Sequence, residues 1–505
     1  MSILKKEKVW VSDVITDEQI KQWKPGDVIT IRAKTGDGKS FFVKNALYAQ
    51  AKAQNEKILF LLHRENTINQ FQNEIKLAGK TDTIHIRTYQ GVEQMLLYEK
   101  AVNLSEYKYI VVDEAHYFIS DSAFNNRTDL SFDTILRQRG SVRIFMSATI
   151  DDIQDYINIS KKIRTINYSL PQDYDHIRKL TFFSKDDMLS EFAKYALEHN
   201  EKAIFFIHKA RKAYDFYKKF SSVATFNCSK SNPLYRYVDE SAITRMLAAE
   251  KFDTPLLITT SCFDAGVNIA DPAVKHIIID MKDVDTIIQC AGRKRVQSSE
   301  DTVSLYIKNI SNQQLGGYES TANRKLTMAR YLSNHTTEEL LRAFPRQNDA
   351  SGVIYDVMVN GRLEKRVNQL MYLKKVKDVE LYGRMKKLGE HGFSKFVAQK
   401  FGFFDNITGQ YDYNVTRDDC GLSSYLERMV GVVMLGRADR KELIDRIDVR
   451  QDGHRLKGID SINAALQERC LPYRIVEFST SRIFDGKKKN FKAAWRIEKE
   501  IRSNA

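Results

Sequence analysis

The sequence predicts an α/β protein: two tandem parallel sheets flanked by helices, then a mainly helical or α+β C-terminal region. Three observations predict it. Over the first 310 residues, two series of short apolar runs alternate with helical stretches. A polar segment carrying Pro171 separates the two series. Beyond about residue 315 such runs become rare and long basic stretches replace them.

The first series is DVITIR (27–32), KILFLL (57–62), TIHIRTY (83–89), YIVVD (109–113) and VRIFM (142–146). Each is short, apolar and bounded by polar or helical sequence, as fully buried parallel strands are. The second is RKLTFF (178–183), KAIFFI (202–207), ATFNC (224–228), PLLITT (255–260), KHIIID (275–280) and TVSLYI (302–307). Two βα series of similar length predict two α/β domains side by side. NYSLPQDYD, 167–175, interrupts the pattern and marks the boundary. The expected division is 1–170, 171–314, a basic helical region over 315–430 and a small α+β module over 431–505. Within the third region, 360–388 reads as one long basic amphipathic stretch. In the last, Ile459 to Leu471 reads as helix, PYRIVEFST and FKAAWRIEK as strands, and GKKKNFK, 486–492, as a hairpin tip or loop.

Bulk composition narrows the class. The chain has 505 residues, 43% hydrophobic and 29% charged, with only 7 prolines. That excludes a disordered or fibrous chain. No apolar run reaches the roughly 18 residues of a membrane span. MSILKKEKVWVSD lacks the apolar core of a secretory signal. The 5 cysteines include no CxxC pair, so reduced thiols and a cytoplasmic location are expected rather than a disulfide framework. The net charge is +14, of which +10 falls on residues 301–505. Such an excess favours a polyanionic partner, nucleic acid before an anionic membrane.

Chemistry concentrates in a few motifs. AKTGDGKS, 33–40, follows a strand and precedes an amphipathic helix, as a phosphate loop requires. Thr35, Gly36, Asp37 and Gly38 turn backbone N–H groups toward a phosphate at a helix N-terminus. Lys39 reaches the terminal phosphates and Ser40 can ligate Mg²⁺. YIVVDEAH, 109–116, is an apolar strand ending in two carboxylates. Asp113 at the strand tip can bind Mg²⁺ through water, and Glu114 can orient and deprotonate an attacking water. Two acids capping a helix would explain Asp-Glu, but not Ala115-His116 or the distance of about 73 residues from the loop. Ser147-Ala148-Thr149, ITTSCFDAGVNI (258–269) and QCAGRKR (289–295) follow in order.

Taken together, these motifs resemble a superfamily 2 helicase of the DEAD/DEAH-box type over roughly residues 20–310. The resemblance implies two RecA-like domains with ATP between them. AKTGDGKS then looks like motif I, Asp113 to His116 like motif II, and Ser147 to Thr149 like motif III. LHRENT (62–67), with Arg64, is similar to motif Ia, and RTYQ (87–90) to the next nucleic-acid-contacting segment. TTSCFDAGVNI looks like motif V and QCAGRKR like motif VI. The implied catalytic set is Lys39, Glu114, Gln289, Arg293 and Arg295, with His116, Ser147, Thr149 and Gly266 coupling nucleotide state to grip. Arg64, Thr88, Gln90 and Thr260 are the nucleic-acid candidates. An arginine from a second domain can engage the phosphates only when the cleft closes, which couples hydrolysis to movement. Motif VI usually reads QxxGRxxR; here Gln289, Gly292 and Arg293 match, position 296 is Val, and the second arginine comes one place early, at 295.

The expected function is an ATP- and Mg²⁺-dependent helicase or translocase that works as a monomer, with DNA favoured over RNA and no membrane partner. A compact chain with a basic C-terminal third resembles the helicases of phages and mobile elements. Partners in a replication, recombination or defence complex fit the same reading. One rival is a duplex translocase without strand separation, as the motor of a restriction or defence complex. A second is a non-catalytic nucleic-acid-binding scaffold, against which intact Lys39, Asp113, Glu114 and Arg293 argue.

Overall fold

The computed structural model describes residues 9–499, apart from 35, 63–64, 98–102, 121–126, 172, 262–267, 299, 346–351, 417–418, 448, 452–453, 469–470 and 485–486. The chain divides into two compact units, one of residues 1–182 and 189–414, the other of 183–188 and 415–505.

The first unit holds both large sheets. Strands β1 (Val28–Arg32), β2 (Ile58–Leu62), β3 (Ile84–Thr88), β4 (Tyr109–Val112), β5 (Val142–Ser147) and β6 (Thr165–Ser169) form the first. Their order is β3-β2-β4-β5-β1-β6 and their pairings are parallel. β2, β4 and β5 are buried along their whole length, which is why they read as unbroken apolar runs. β6 lies where the sequence pattern placed only a linker. Its burial reads buried, exposed, exposed, half-buried, exposed, so this edge strand has no continuous apolar signal.

Strands β7 (Ile177–Phe183), β8 (Lys202–Ile207), β9 (Ala224–Phe226), β10 (Leu256–Thr259), β11 (Val274–Asp280) and β12 (Val303–Lys308) are six of the seven strands of the second sheet, in the order β7-β12-β11-β8-β10-β9. Both sheets bring the C-terminal ends of their strands to loops that carry the motifs.

Four helices matter for the site. α1 spans residues 39–53, with one wide turn at Val43–Leu47. α2 is Val284–Ala291, α3 Asn312–Asn334 and α4 Gln369–Lys387. The segment 360–388 is not one helix. Arg362–Val367 is a strand, β14, paired antiparallel with β13 (Ile354–Val359). Asn368 then caps α4, its side chain accepting from the N–H groups of Leu370 and Met371.

α3 and α4 do not form a core of their own. Leu370, Met371, Met328 and Ala329 pack into the core beside the first sheet. Leu315 and Met385 pack into the core of the second. The two helices run antiparallel, tied by Arg330 donating to the Tyr372 hydroxyl at 2.9 Å and by an ion pair between Lys386 and Glu319. One pair of helices thus spans both sheet domains.

The second unit is a small α+β module. Helices α5 (Asp419–Met429), α6 (Arg437–Ile447) and α7 (Ile459–Glu468) pack on strands β15 (Val433–Met434), β16 (Tyr473–Phe484) and β17 (Lys487–Lys499). The strand order is β15-β17-β16, all antiparallel. Most of GKKKNFK is strand rather than loop, since β17 begins at Lys487. Among the described residues, no helix is long and apolar enough to cross a membrane.

Candidate functional site

The loop after β1 turns tightly into α1. Gly36 and Gly38 adopt φ of +94° and +87°, a region where L side chains are strained. Asp37 closes the turn locally: its carboxylate accepts from the Lys34 N–H at 2.7 Å. Trp10 packs against the turn, and a Cβ on Gly38 would lie 3.2 Å from its ring. Ser40 follows Lys39 in the first turn of α1. Thr35 lies outside the described residues.

Lys39 is 5% exposed and folds back on its own loop. Its Nζ donates to the Ala33 carbonyl at 3.1 Å and stands 3.6 Å from Glu114 Oε1. Glu114 has φ +49°, left-handed backbone for a non-glycine residue. Its other oxygen lies 3.3 Å from His116 Nδ1, which is also 3.0 Å from Ser147 Oγ. Ser147 Oγ in turn accepts from the Thr149 N–H at 3.1 Å. Motifs I, II and III therefore form one chain of contacts across the ends of β1, β4 and β5.

The two carboxylates are driven apart in pKa. Burial, and then the charge of Glu114, push Asp113 up to about 6. Burial pushes Glu114 up as well, but Lys39, His116 and Arg293 outweigh it and hold Glu114 below the usual carboxylate range. At neutral pH Glu114 is thus an anion. Asp113 is a buried acid with too little positive charge beside it, and a divalent cation there would supply what is lacking. Asp113 and Ser40 are the protein groups suited to such an ion, which takes most of its ligands from water and substrate phosphates.

The second sheet contributes the facing groups. Gln289 lies on α2, and the helix ends there: Gly292 is its C-cap, so Arg293 and Arg295 sit beyond it rather than on it. The stretch is pinned by Ile269, whose N–H donates to the Arg293 carbonyl at 2.9 Å and whose carbonyl accepts from the Arg295 N–H at 2.7 Å. Arg293 is fully buried, donates to Gln289 Oε1 at 3.0 Å, and contributes to lowering the Glu114 pKa. Arg295 reaches further. A Cβ on Gly36 would fall 2.5 Å from its Nη1, so this guanidinium lies directly against the phosphate loop. Asn268 Oδ1 accepts from Arg295 Nε at 2.9 Å and aims it there. Burial, then Arg293, pull the Arg295 pKa down to about 10, so it stays charged at neutral pH.

The remaining candidates scatter. Thr88 Oγ1 accepts from the Gly91 N–H at 2.8 Å, a local turn bond. Gln90 has a buried Oε1 with no hydrogen-bond partner among the described residues. Thr260 is 6% exposed. Arg64 and Gly266 lie outside the described residues. Sequence reasoning missed Asn268, Trp10 and Tyr89. Tyr89 is fully buried, and its hydroxyl donates to the Asp113 carbonyl. Within RTYQ only Thr88 and Gln90 stood out as nucleic-acid candidates, and no periodicity marks a residue that buttresses a loop from below.

Comparison with known proteins adds the following. Residues 14–156 match the family model for DEAD/DEAH box helicase. No curated protein matches the sequence. Among solved structures, S. cerevisiae Dbp5 bound to RNA and ADP BeF3 is 17% identical, covering 57% of this chain and 79% of that one, with a TM-score of 0.44. The DEAD-box helicase Mss116 bound to ssRNA and UDP-BeF is 14% identical, covering 80% and 92%, with a TM-score of 0.45. Mycobacterium smegmatis helicase Lhr bound to ssDNA and AMP-PNP is 14% identical, covering 71% and 55%, with a TM-score of 0.36. Over residues 14–156 the chain thus matches the model of a DEAD/DEAH box helicase domain.

Proposed function

We propose that the chain is a DNA helicase in which hydrolysis of ATP, assisted by Mg²⁺, closes and opens the two sheet domains on a bound strand. The observation that carries this reading is Arg295 of the second domain lying against Gly36 of the first. In the proposed cycle Lys39 and the loop N–H groups hold the phosphates. Glu114 orients the attacking water and takes its proton. Arg293 and Arg295 stabilise charge on the transferring phosphoryl group. Asp113 and Ser40 would hold Mg²⁺, which neutralises phosphate charge when bound. His116, Ser147 and Thr149 pass the change from the nucleotide to the strand-binding surface. DNA is preferred to RNA on the likeness of this compact, C-terminally basic chain to helicases of phages and mobile elements.

The test has two stages. Lys39→Ala and Glu114→Gln should each abolish nucleic-acid-stimulated ATP hydrolysis; an unchanged rate removes the motor reading. Strand displacement on forked, 3′-tailed and 5′-tailed DNA and RNA duplexes then decides the rest. Displacement of DNA strands supports the proposal, and preferential displacement of RNA overturns the DNA assignment. ATP-driven stripping of bound protein without displacement would establish the duplex translocase instead.

A further inference from the structure

The long hairpin of the second unit outruns the module it belongs to. At its base, Tyr473, Ile475, Trp495 and Ile497 enter the core with Leu426, Leu443 and Leu466. The third strand pairs only at Arg496 and Trp495. Past Phe478 and Ala494 the two strands pair, among the described residues, only with each other, through Thr480–Phe491, Ser481–Asn490, Arg482–Lys489 and Ile483–Lys488 to Phe484–Lys487. The free arm is about 20 Å long at 3.3 Å per residue.

This arm carries the charge of the module. Residues 480–492 hold five basic side chains and one acidic one. At the base cations are matched: Arg496 pairs with Glu498, and Lys499 with Glu427 at 2.8 Å. Along the arm, Arg482, Lys488, Lys489 and Lys492 are exposed and have no carboxylate at ion-pair distance among the described residues. Arg482 also stands directly across the ladder from Lys489. Like charges opposite each other on one face destabilise a hairpin, and a two-stranded ribbon has little stability to spare. Lysines that only protect an edge from pairing need no such juxtaposition. On the same face Phe491 lies under Lys489 Nζ at 5.6 Å. Ile483, on the other face, is 74% exposed.

From this geometry we infer that the arm is a docking surface for duplex DNA, with Arg482, Lys488, Lys489 and Lys492 against phosphates flanking the major groove. An anionic backbone relieves the Arg482–Lys489 repulsion, which no carboxylate among the described residues does. The major groove of B-form DNA, about 12 Å wide, admits a two-stranded ribbon; that of A-form RNA is too narrow and deep. α7 is a poor competitor for the same phosphates, since its ionisable residues are Asp460 and Glu468. The inference deepens the DNA reading above by naming where duplex is held, independently of hydrolysis.

The test uses the full chain carrying Arg482→Glu, Lys488→Glu and Lys489→Glu together, with Lys488→Gln plus Lys489→Gln as a milder variant. Binding to fluorescent blunt duplex DNA, duplex RNA and single-stranded DNA is measured without nucleotide over a salt series. Duplex DNA affinity should fall at least tenfold in the triple variant and less in the double one. The log–log salt slope should shrink by about 0.9 for each phosphate that the variant no longer neutralises. ATP hydrolysis stimulated by single strands should keep its wild-type rate, which also shows that the chain is folded. Unchanged duplex DNA affinity in both variants, or an equal loss on duplex RNA or single strands, overturns the inference. Absence of DNA-stimulated hydrolysis in the wild type would overturn the proposed function without touching the binding result.

Discussion

Lys374, on helix α4, lies 3.2 Å from Asp283, the residue that caps helix α2. That helix leads to Gln289 and then to Arg293. Lys374 also stands 3.2 Å from Asp378 and 3.9 Å from Asp285, and the next turn brings Lys377 to 2.6 Å from Asp155 of the first domain. One helix therefore grips acidic groups of both sheet domains, around a cavity of about 710 Å³. Lys374→Met should cost about 2–3 kcal/mol in denaturant unfolding. That is below the 3–5 kcal/mol of a fully buried pair because Asp283 and Asp285 are about one-third exposed. It should also slow hydrolysis, because the capped end of α2 is released. A variant with wild-type stability and rate would show that α4 merely covers the surface.

The same cluster sets a pH dependence. Burial pushes Asp283 up, but Lys374 and the Thr286 N–H more than offset it, leaving Asp283 at about 2. Its contribution to stability is present above its ordinary value and is lost as pH falls through about 2. Asp285 is driven the other way, to about 6, by burial that Lys374 only partly offsets. It imposes a cost above that pH, and the cost is relieved as pH falls through it. Without Lys374, both carboxylates move up. The Lys374→Met variant should therefore gain more stability than the wild type between near-neutral pH and about pH 5. Urea unfolding of both proteins at the two pH values gives the comparison, and equal gains would mean that Lys374 does not hold these acids charged.

Arg293 and Arg295 should separate in mutagenesis. Arg295 lies against Gly36 of the candidate phosphate loop, whereas Arg293 is fully buried and donates to Gln289. Arg295→Ala should lower kcat by about 10²-fold or more while leaving stability nearly unchanged. Arg295→Lys should not restore the rate, because an ammonium cannot contact Asn268 and the loop with one planar fork. Arg293→Ala should lower kcat and also destabilise the second domain, since it leaves the buried Gln289 without its partner. Rate measurements beside melting curves distinguish the two; equal destabilisation by both would refute the division of roles.

What the sequence made legible follows burial and local order. Strands buried on both faces, such as β2 and β4, announce themselves as continuous apolar runs. Edge strand β6 does not, because half of it faces water. The phosphate loop and Asp113–Glu114 are contiguous in sequence, so their chemistry is readable before any fold is known. Asn268 and Arg295 are 27 positions apart, and the pairing of Ile269 with Lys294 brings them together. The 360–388 segment misled for a different reason. It reads as one long basic amphipathic stretch, yet Lys374 and Lys377 are spent on internal carboxylates.

Glu114→Gln should separate binding from chemistry. The side chain keeps its size, so the left-handed backbone at this position meets no new steric demand. What is lost is the charge that Lys39, His116 and Arg293 hold in place. A neutral amide cannot take the proton of an attacking water, so hydrolysis should fall about 10²–10⁴-fold. ATP affinity should stay equal or rise, because an anion near the phosphates is removed while Lys39 remains. The variant should then accumulate as a nucleotide-loaded, strand-bound complex. Single-turnover hydrolysis beside equilibrium binding of a fluorescent ATP analogue measures both quantities. If affinity falls in step with rate, Glu114 holds the loop rather than the water, and the roles assigned to Lys39 and Glu114 must be exchanged for a structural one.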